Sequence, residues 1–525
     1  MYTLSLQNER WLKRLCGGAE VYSPVGSAIQ PATIDDFEKR GITYVSKSDE
    51  GIVVYSGSAR QVPLYLDMKG KQVTDKLCFE AHKLLEDSII DLLSFGYVTG
   101  RSTLLDSVMQ FRAGEKNLIK DHSETTVDIL GSIPGPDKTF TYDVFSKRLL
   151  TILREVFKDA DSISGDRMII VPLSGGYDSR LIACLLRDAG IDNVICVNYG
   201  VEGAGEVESN PSREVAARLG YEWYYVEYNF EEMMNEMTSE EFEHYLLSSH
   251  GFVSTPHVQE YLLMKKLEKS FPGQELVFAP GHSADFSAGS HITPMVLLSN
   301  RSRDFDSLVS ATIAKHFTLR MLPVPAEVKQ HIHDELEQII AYVSEPYMAF
   351  EIWNWFERQS KFIVNSIRLY EYFEHKWWLP FWDKRFVNFW FSVPLKQKKN
   401  KQFYDRFVEH EFFEPMGVSF DARSKLKEKR KKSFMMKLAS LFASAEYMMR
   451  AKNFYMKRRY HNPWGMDLAG EKLLQRFTLK YPQAYSKLKD LTGNRLGKRG
   501  YDPNCFLSEI LMLLILSQDL RGDQR

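Results

Sequence analysis

The chain has 525 residues, of which 44% are hydrophobic and 26% charged, with a formal net charge of −2. That length exceeds one ordinary hydrophobic core, so two domains are expected, and the composition is that of a globular protein. The near-neutral balance excludes the overall basic signature of a nucleic-acid binder, so no nucleic-acid partner is expected.

The first residues, MYTLSLQNERWLKRL, lack the basic–apolar–small order of a signal peptide. Five cysteines (Cys16, Cys78, Cys184, Cys196 and Cys505) form no CxxC pair, which predicts free thiols and a cytoplasmic location. Residues 51–56 (GIVVYS) and 62–66 (VPLYL) read as strands, and 79–95 has a helical period. Pro134, Gly135 and Pro136 punctuate the chain as a linker. Helix 144–157, strand 168–173, helix 179–187, strand 194–197, helix 206–219 and strand 223–228 then alternate. This order predicts an α/β domain, a parallel sheet flanked by helices, with its site at the carboxyl ends of the strands.

Beyond about residue 300 the helical period dominates. The basic runs 396–401 (KQKKNK) and 423–432 (RSKLKEKRKK) read as solvated surface, with individual lysines available to phosphate or an anionic substrate. Residues 434–455 are amphipathic and Met-rich, the pattern of core packing or of a partner helix. The apolar stretch 506–517 carries Glu509 and is shorter than the roughly 20 residues a bilayer requires. It reads as a buried helix, and no transmembrane segment is expected.

The most informative segment is 171–181, VPLSGGYDSRL. A buried strand, a Gly-Gly turn and a helix start place backbone N–H groups, hydroxyls and a positive dipole end around an anion. The lysine of the Walker pattern is absent. The segment SGGxDS instead resembles the pyrophosphate loop of ATP pyrophosphatases, whose fold is adenine nucleotide α-hydrolase-like. The resemblance implies that Leu173, Ser174, Gly175, Gly176, Asp178 and Ser179 bind ATP, and that Asp178 holds Mg²⁺.

Residues 276–285 (LVFAPGHSAD) resemble the second half of the ATP site of asparagine synthetases, where the family pattern is Ser-Gly-Glu-Gly-x-Asp-Glu. On that resemblance Asp285 is the second magnesium carboxylate, Pro280 and Gly281 border the nucleotide, and Tyr199 and Gly200 contact adenine through backbone. Residues 379–393 (LPFWDKRFVNFWFSV) resemble the family's Pro-Phe-Leu-Asp stretch, with Arg368 upstream and a lysine-bearing helix from Lys401 after it. The matches span about 145–435, so 140–525 is expected to be a synthetase-like ATP-binding domain with a helical C-terminal part.

The N-terminal part, 1–135, resembles a degenerate glutaminase-like (Ntn-type) domain of α+β type. The carrying residues are 58–66 (SARQVPLYL), 97–112, and Ala113-Gly114-Glu115. The family's cysteine nucleophile follows the initiator Met, and Tyr2 stands there. Cys16-Gly17-Gly18 would need cleavage to become an N-terminus. The expected role of this part is an inactive scaffold.

The resemblance implies an ATP-dependent amide-forming ligase that activates a carboxylate as its acyl-adenylate. His282 matches the family's catalytic glutamate and Phe286 its final glutamate, and residues 250–259 (HGFVSTPHVQ) lack the family's acidic and arginine contacts. Aspartate is therefore not the expected acid. A sugar acid or a peptide carboxylate takes its place, with ammonia or an amine, and a separate glutaminase is a further expected partner. Lys425 and Lys432 are candidates to neutralise the transition state. A tRNA-modifying pyrophosphatase and a nucleotide-binding pseudoenzyme are the alternatives.

Overall fold

A computed structural model describes residues 2–121, 123–127, 132–137, 139–201, 205–321, 323–420, 450, 454–456, 465–493 and 495–522. Lys425, Lys432, the run 423–432 and most of the Met-rich segment lie outside them.

Ten short strands build the N-terminal part: β1 (Thr3–Ser5), β2 (Trp11–Cys16), β3 (Ala19–Pro24), β4 (Tyr44–Ser48), β5 (Gly51–Tyr55), β6 (Tyr65–Asp67), β7 (Gln72–Thr74), β8 (Val108–Gln110), β9 (Lys116–Lys120) and β10 (Ser123–Val127). They form one sheet of order β1-β7-β6-β8 and another of order β10-β9-β5-β4-β3-β2. Val45, Val54 and Ile119 of the larger sheet share a core with Leu66 and Val73 of the smaller, and Tyr2 packs on its margin. Cys16 pairs with Ala19 across Gly17 and Gly18, whose φ values are +56° and +85°. Two positive φ angles in a row suit a tight hairpin, so this Cys-Gly-Gly is a turn closing β2 on β3. Two helices belong to this part of the chain, α1 (Ile34–Arg40) and α2 (Glu86–Phe95).

The helical period at 79–95 resolves into a single tight turn, Phe79–Ala81, and α2. Between them the backbone of Lys83 is held by the Asp106 carboxylate at 2.8 Å, which takes it out of a helical path. The apolar face of α2 (Ile89, Ile90, Leu93) joins the core formed by helices from the far end of the chain.

The second sheet system is parallel, in the order β13-β12-β11-β14-β15. Its strands are β11 (Ile169–Pro172), β12 (Val194–Val201), β13 (Glu222–Tyr228), β14 (Val277–Phe278) and β15 (Lys376–Trp377). Ile170, Ile195 and Phe278 face one core; Ile169, Val171, Cys196 and Val277 face the other. Burial on both faces explains why these strands are continuous apolar runs and not alternating ones. The helices α3 (Tyr142–Phe157), α4 (Ala160–Ser164), α5 (Tyr177–Asp188) and α6 (Gly205–Leu219) follow the predicted alternation.

The rest is mainly helical. Its last helix, Asn504–Gly522, is buried along Ile510–Leu516. Glu509 is compensated there by Arg320 and Arg499, each at 2.8 Å. Among the described residues no helix is long and apolar enough to cross a membrane.

Candidate active site

Strand β11 delivers the chain into Leu173, which is fully buried and donates its N–H to Val197 O at 2.8 Å. The turn Ser174-Gly175-Gly176 then leads into α5. Its polar groups satisfy one another. The Ser174 N–H donates to Ser179 Oγ at 3.1 Å, and the Gly176 N–H to Ser174 Oγ at 3.3 Å. An anion arriving at the α5 N-terminus would find these donors already converging. Arg180 clamps the turn from behind. Its guanidinium donates to Gly175 O and Val418 O at 3.0 Å each, and lies 4.8 Å over the Phe413 ring.

Strand β14 delivers the second half. Its loop crosses α5 so closely that a Cβ on Gly281 would stand 2.6 Å from Ser179 N. Only glycine fits that crossing. Ser283 takes a left-handed turn (φ +71°) that aims Asp285 at Asp178. The Asp285 N–H donates to Asp178 Oδ2 at 2.8 Å, and the Tyr404 hydroxyl donates to Asp178 Oδ1 at 2.8 Å. Burial, reinforced by the Asp285 carboxylate, pushes the Asp178 carboxyl up to about 7. Two carboxylates held together against their own repulsion, both half-buried, fit a divalent cation, since Mg²⁺ takes one or two protein carboxylates and completes its shell with phosphate and water.

Lys401 is the cation at this end. Its ammonium lies 5.2 Å over the rings of both Tyr177 and Tyr404, pairs with Asp405 at 3.1 Å, and favours the ionised form of Asp178. Asn400 and Lys401 both have φ of +57°, an uncommon conformation for side chains of this kind and a mark of an over-determined site. The sequence marks the helix that follows Lys401, whereas its candidates for this charge, Lys425 and Lys432, lie outside the described residues.

At the end of β12, Tyr199 stacks on Tyr228 with centroids 5.2 Å apart, and Gly200 O accepts from the Tyr225 hydroxyl at 3.4 Å. His282 follows Gly281 in the crossing loop. Burial holds its imidazole neutral, with a pKa pushed down to about 3. Its Nδ1 and the Nε2 of His257 are buried, with no hydrogen-bond partner among the described residues. Phe286 turns away into the core and packs 4.5 Å from the His291 ring. Arg368 reaches into the N-terminal part, where it donates to Gln61 O.

Residues 153–293 match the family model "asparagine synthase". Over that span the chain is similar to an asparagine synthase domain. The matched span contains both the Ser174–Ser179 turn and the Gly281–Asp285 crossing. Domains of that family are of the ATP pyrophosphatase class, whose enzymes use ATP. No curated protein matches the chain. Among solved structures it is similar to U34-tRNA thiolase NcsA from Methanococcus maripaludis, a structure with a 4Fe–4S cluster. Identity is 14%, over 61% of this chain and 82% of that one, with a TM-score of 0.23. A superposition that loose bears on no functional point.

Proposed function

We propose that the chain is an ATP-dependent ligase that joins a carboxylate to ammonia or an amine through an acyl-adenylate. The observation that carries this reading is the meeting of Asp178 and Asp285 across Gly281, at the open end of the parallel sheet. A substrate carboxylate oxygen attacks the α-phosphorus of ATP. The bond to the α,β-bridging oxygen breaks, and pyrophosphate leaves. The amine nitrogen then attacks the acyl carbon, the carbon–oxygen bond to AMP breaks, and the nitrogen gives up a proton.

The first step brings an anion to a polyanion, so charge compensation dominates its barrier. Ser174, Gly175, Gly176 and Ser179 hold the departing pyrophosphate, with Lys401 beside them. Asp178 and Asp285 would hold Mg²⁺, which would supply compensating charge there. Lys425 and Lys432 remain candidates for further charge at the leaving group. Tyr199 and Gly200, with Pro280 and Leu173, frame the adenine side.

In the second step His282 receives the proton. By itself its low pKa makes it a weak base. An adenylate phosphate beside it raises that value and strengthens it when the amine arrives. Nitrogen comes from solution or from a separate glutaminase. Reversal of the first step tests the reading: labelled pyrophosphate should exchange into ATP only when a suitable acid is present, and Asp178→Asn should lower the exchange about 10³-fold. Exchange that ignores the acid, or that is unchanged in Asp178→Asn, contradicts it. Phe286, in the place of the family's last glutamate, favours a second reading, a nucleotide-binding pseudoenzyme. In that case ATP binds with magnesium and no exchange is seen.

A further inference from the structure

The helix Pro346–Asn354 does not end at Asn354. It widens into the π-helical stretch Trp355–Ile363, in which the Val364 N–H bonds back to Gln359 O. Wide turns of this kind cost hydrogen-bond geometry and occur often at functional sites. This one carries Arg358. The next residue, Gln359, accepts from the Ser283 hydroxyl at 2.7 Å, so the π stretch is tied to the crossing loop two residues before Asp285.

A second helix, Phe305–His316, ends at the same place. Its His316 packs on Trp353, just before the π stretch, with centroids 5.0 Å apart, and the preceding Lys315 is within reach of the Arg358 charge. Lys315 and Arg358 are half-buried, and neither forms an ion pair with any described residue. Arg358 is backed by the Phe362 ring at 5.2 Å. Burial and the Arg358 charge favour the neutral amine of Lys315, and the Asp285 carboxylate opposes them. A helix C-terminus favours a lysine, but it does not explain sinking one beside an arginine. Two uncompensated cations next to each other are costly unless an anion joins them.

The nearby acids are already engaged. Glu357 pairs with Lys361 at 2.8 Å, Glu351 with Lys398 at 2.9 Å, and Glu260 accepts from the Tyr370 hydroxyl at 2.7 Å. Asp285 faces Asp178. The remaining polar atoms at the crossing loop are the unpartnered nitrogens of two neutral histidines, His257 and His282. Among the described residues an ammonium group here would meet two like charges, and the carboxylate that acts on Lys315, Asp285, is the one assigned to the metal.

We infer that Lys315 and Arg358 form the acceptor site for the substrate acid, and that this site selects a carboxylic acid that carries no free ammonium group. The inference rests on the ligase reading above and names its substrate class. Arg358 presents a planar fork suited to a carboxylate, whereas Lys315 contributes a point charge on the Asp285 side. A uronic acid or the side-chain carboxylate of a peptide fits this description; a free α-amino diacid does not.

Calorimetry on the full chain separates the two claims. Magnesium with the non-hydrolysable ATP analogue AMPCPP is titrated first, then galacturonate, glutarate and L-aspartate are each titrated into the nucleotide-loaded protein. Galacturonate or glutarate should bind at least tenfold more tightly than aspartate. Lys315→Met and Arg358→Met should each weaken that acid at least tenfold and leave AMPCPP affinity within twofold, which also shows that the variants fold. Where a methionine variant fails to bind AMPCPP, Lys315→Arg or Arg358→Lys replaces it. The charge-keeping Lys315→Arg should retain acid binding within about threefold, and the fork-losing Arg358→Lys should lose more. Equal or tighter binding of aspartate, unchanged acid affinity in the variants, or no acid binding by nucleotide-loaded wild-type protein overturns the acceptor site. Failure of the wild-type protein to bind AMPCPP overturns the ligase reading itself, and the acceptor site with it.

Discussion

The two ends of the candidate site are built differently. At the phosphate end the backbone provides most of the chemistry: a turn, a helix start, and one glycine pressed against Ser179 N. At the acceptor end side chains provide it, and they come from separate elements: Lys315 from a helix, Arg358 from a π-helical stretch, His282 from the crossing loop. Backbone chemistry tolerates little change, because a Cβ or a shifted turn displaces every donor at once. Side-chain chemistry can be altered one residue at a time, as Phe286 illustrates by leaving the site for the core. The comparison teaches that nucleotide handling and acid choice are separable in this molecule.

The variants that break this comparison most severely are at the phosphate end. Asp178→Asn removes a metal-facing charge and should lower acid-dependent pyrophosphate exchange by about 10³-fold, the upper range for losing one preorganised electrostatic group. Its circular dichroism should stay native. Lys401→Met should cost about 10²-fold in the same exchange assay, since Lys401 lies farther from the carboxylates and is shared with Asp405. Gly281→Ala drives a methyl into Ser179 N and should destabilise the fold by about 1–3 kcal/mol in urea titration, with nucleotide affinity falling as well.

pH sharpens the comparison. The Asp178 carboxyl, with a pKa near 7 in the metal-free protein, must lose its proton to hold a cation. Magnesium-dependent ATP affinity should therefore rise with pH up to about 7 and level off above it. Below 7, binding should release a proton, visible as a buffer-dependent binding enthalpy. The sign for stability is the reverse. A carboxyl with a folded-state pKa above its unfolded value favours the fold while protonated, so metal-free stability should decline as pH rises from about 4 to about 7. Magnesium with nucleotide should remove that decline. The smallest effect belongs to the N-terminal part. Leu15 is 78% exposed on the sheet-edge strand β2, and Leu15→Lys should change stability by less than about 0.5 kcal/mol and leave exchange untouched.

The phosphate end was legible in the sequence because its signals are local. A buried strand, two glycines and a helix start sit within ten residues, and Gly281 stands where a strand runs into Asp285. The central strands were legible for the same reason, since burial on both faces leaves unbroken apolar runs. The N-terminal sheets were mostly not. Strands of three residues such as β1, β6, β7 and β8 are too short to show a period, and Cys16-Gly17-Gly18 reads as a turn only once its register with Ala19 is known. β15 has two residues and exists because β14 pairs with it. Lys315 and Arg358 carry no motif. They meet through the packing of His316 on Trp353 and the bond from Ser283 to Gln359, contacts that span dozens of residues. Lys401 lay in plain view in a basic run, and only its position over Tyr177 and Tyr404 distinguishes it from its neighbours.

Oxygen-isotope transfer tests adenylation most directly. An acid that supports exchange, labelled with ¹⁸O in its carboxylate, is turned over with ATP and ammonia. If the acid oxygen attacks the α-phosphorus, one ¹⁸O atom appears in AMP for each amide formed, and none in pyrophosphate. Label in inorganic phosphate with ADP as co-product, or unlabelled AMP, contradicts the account.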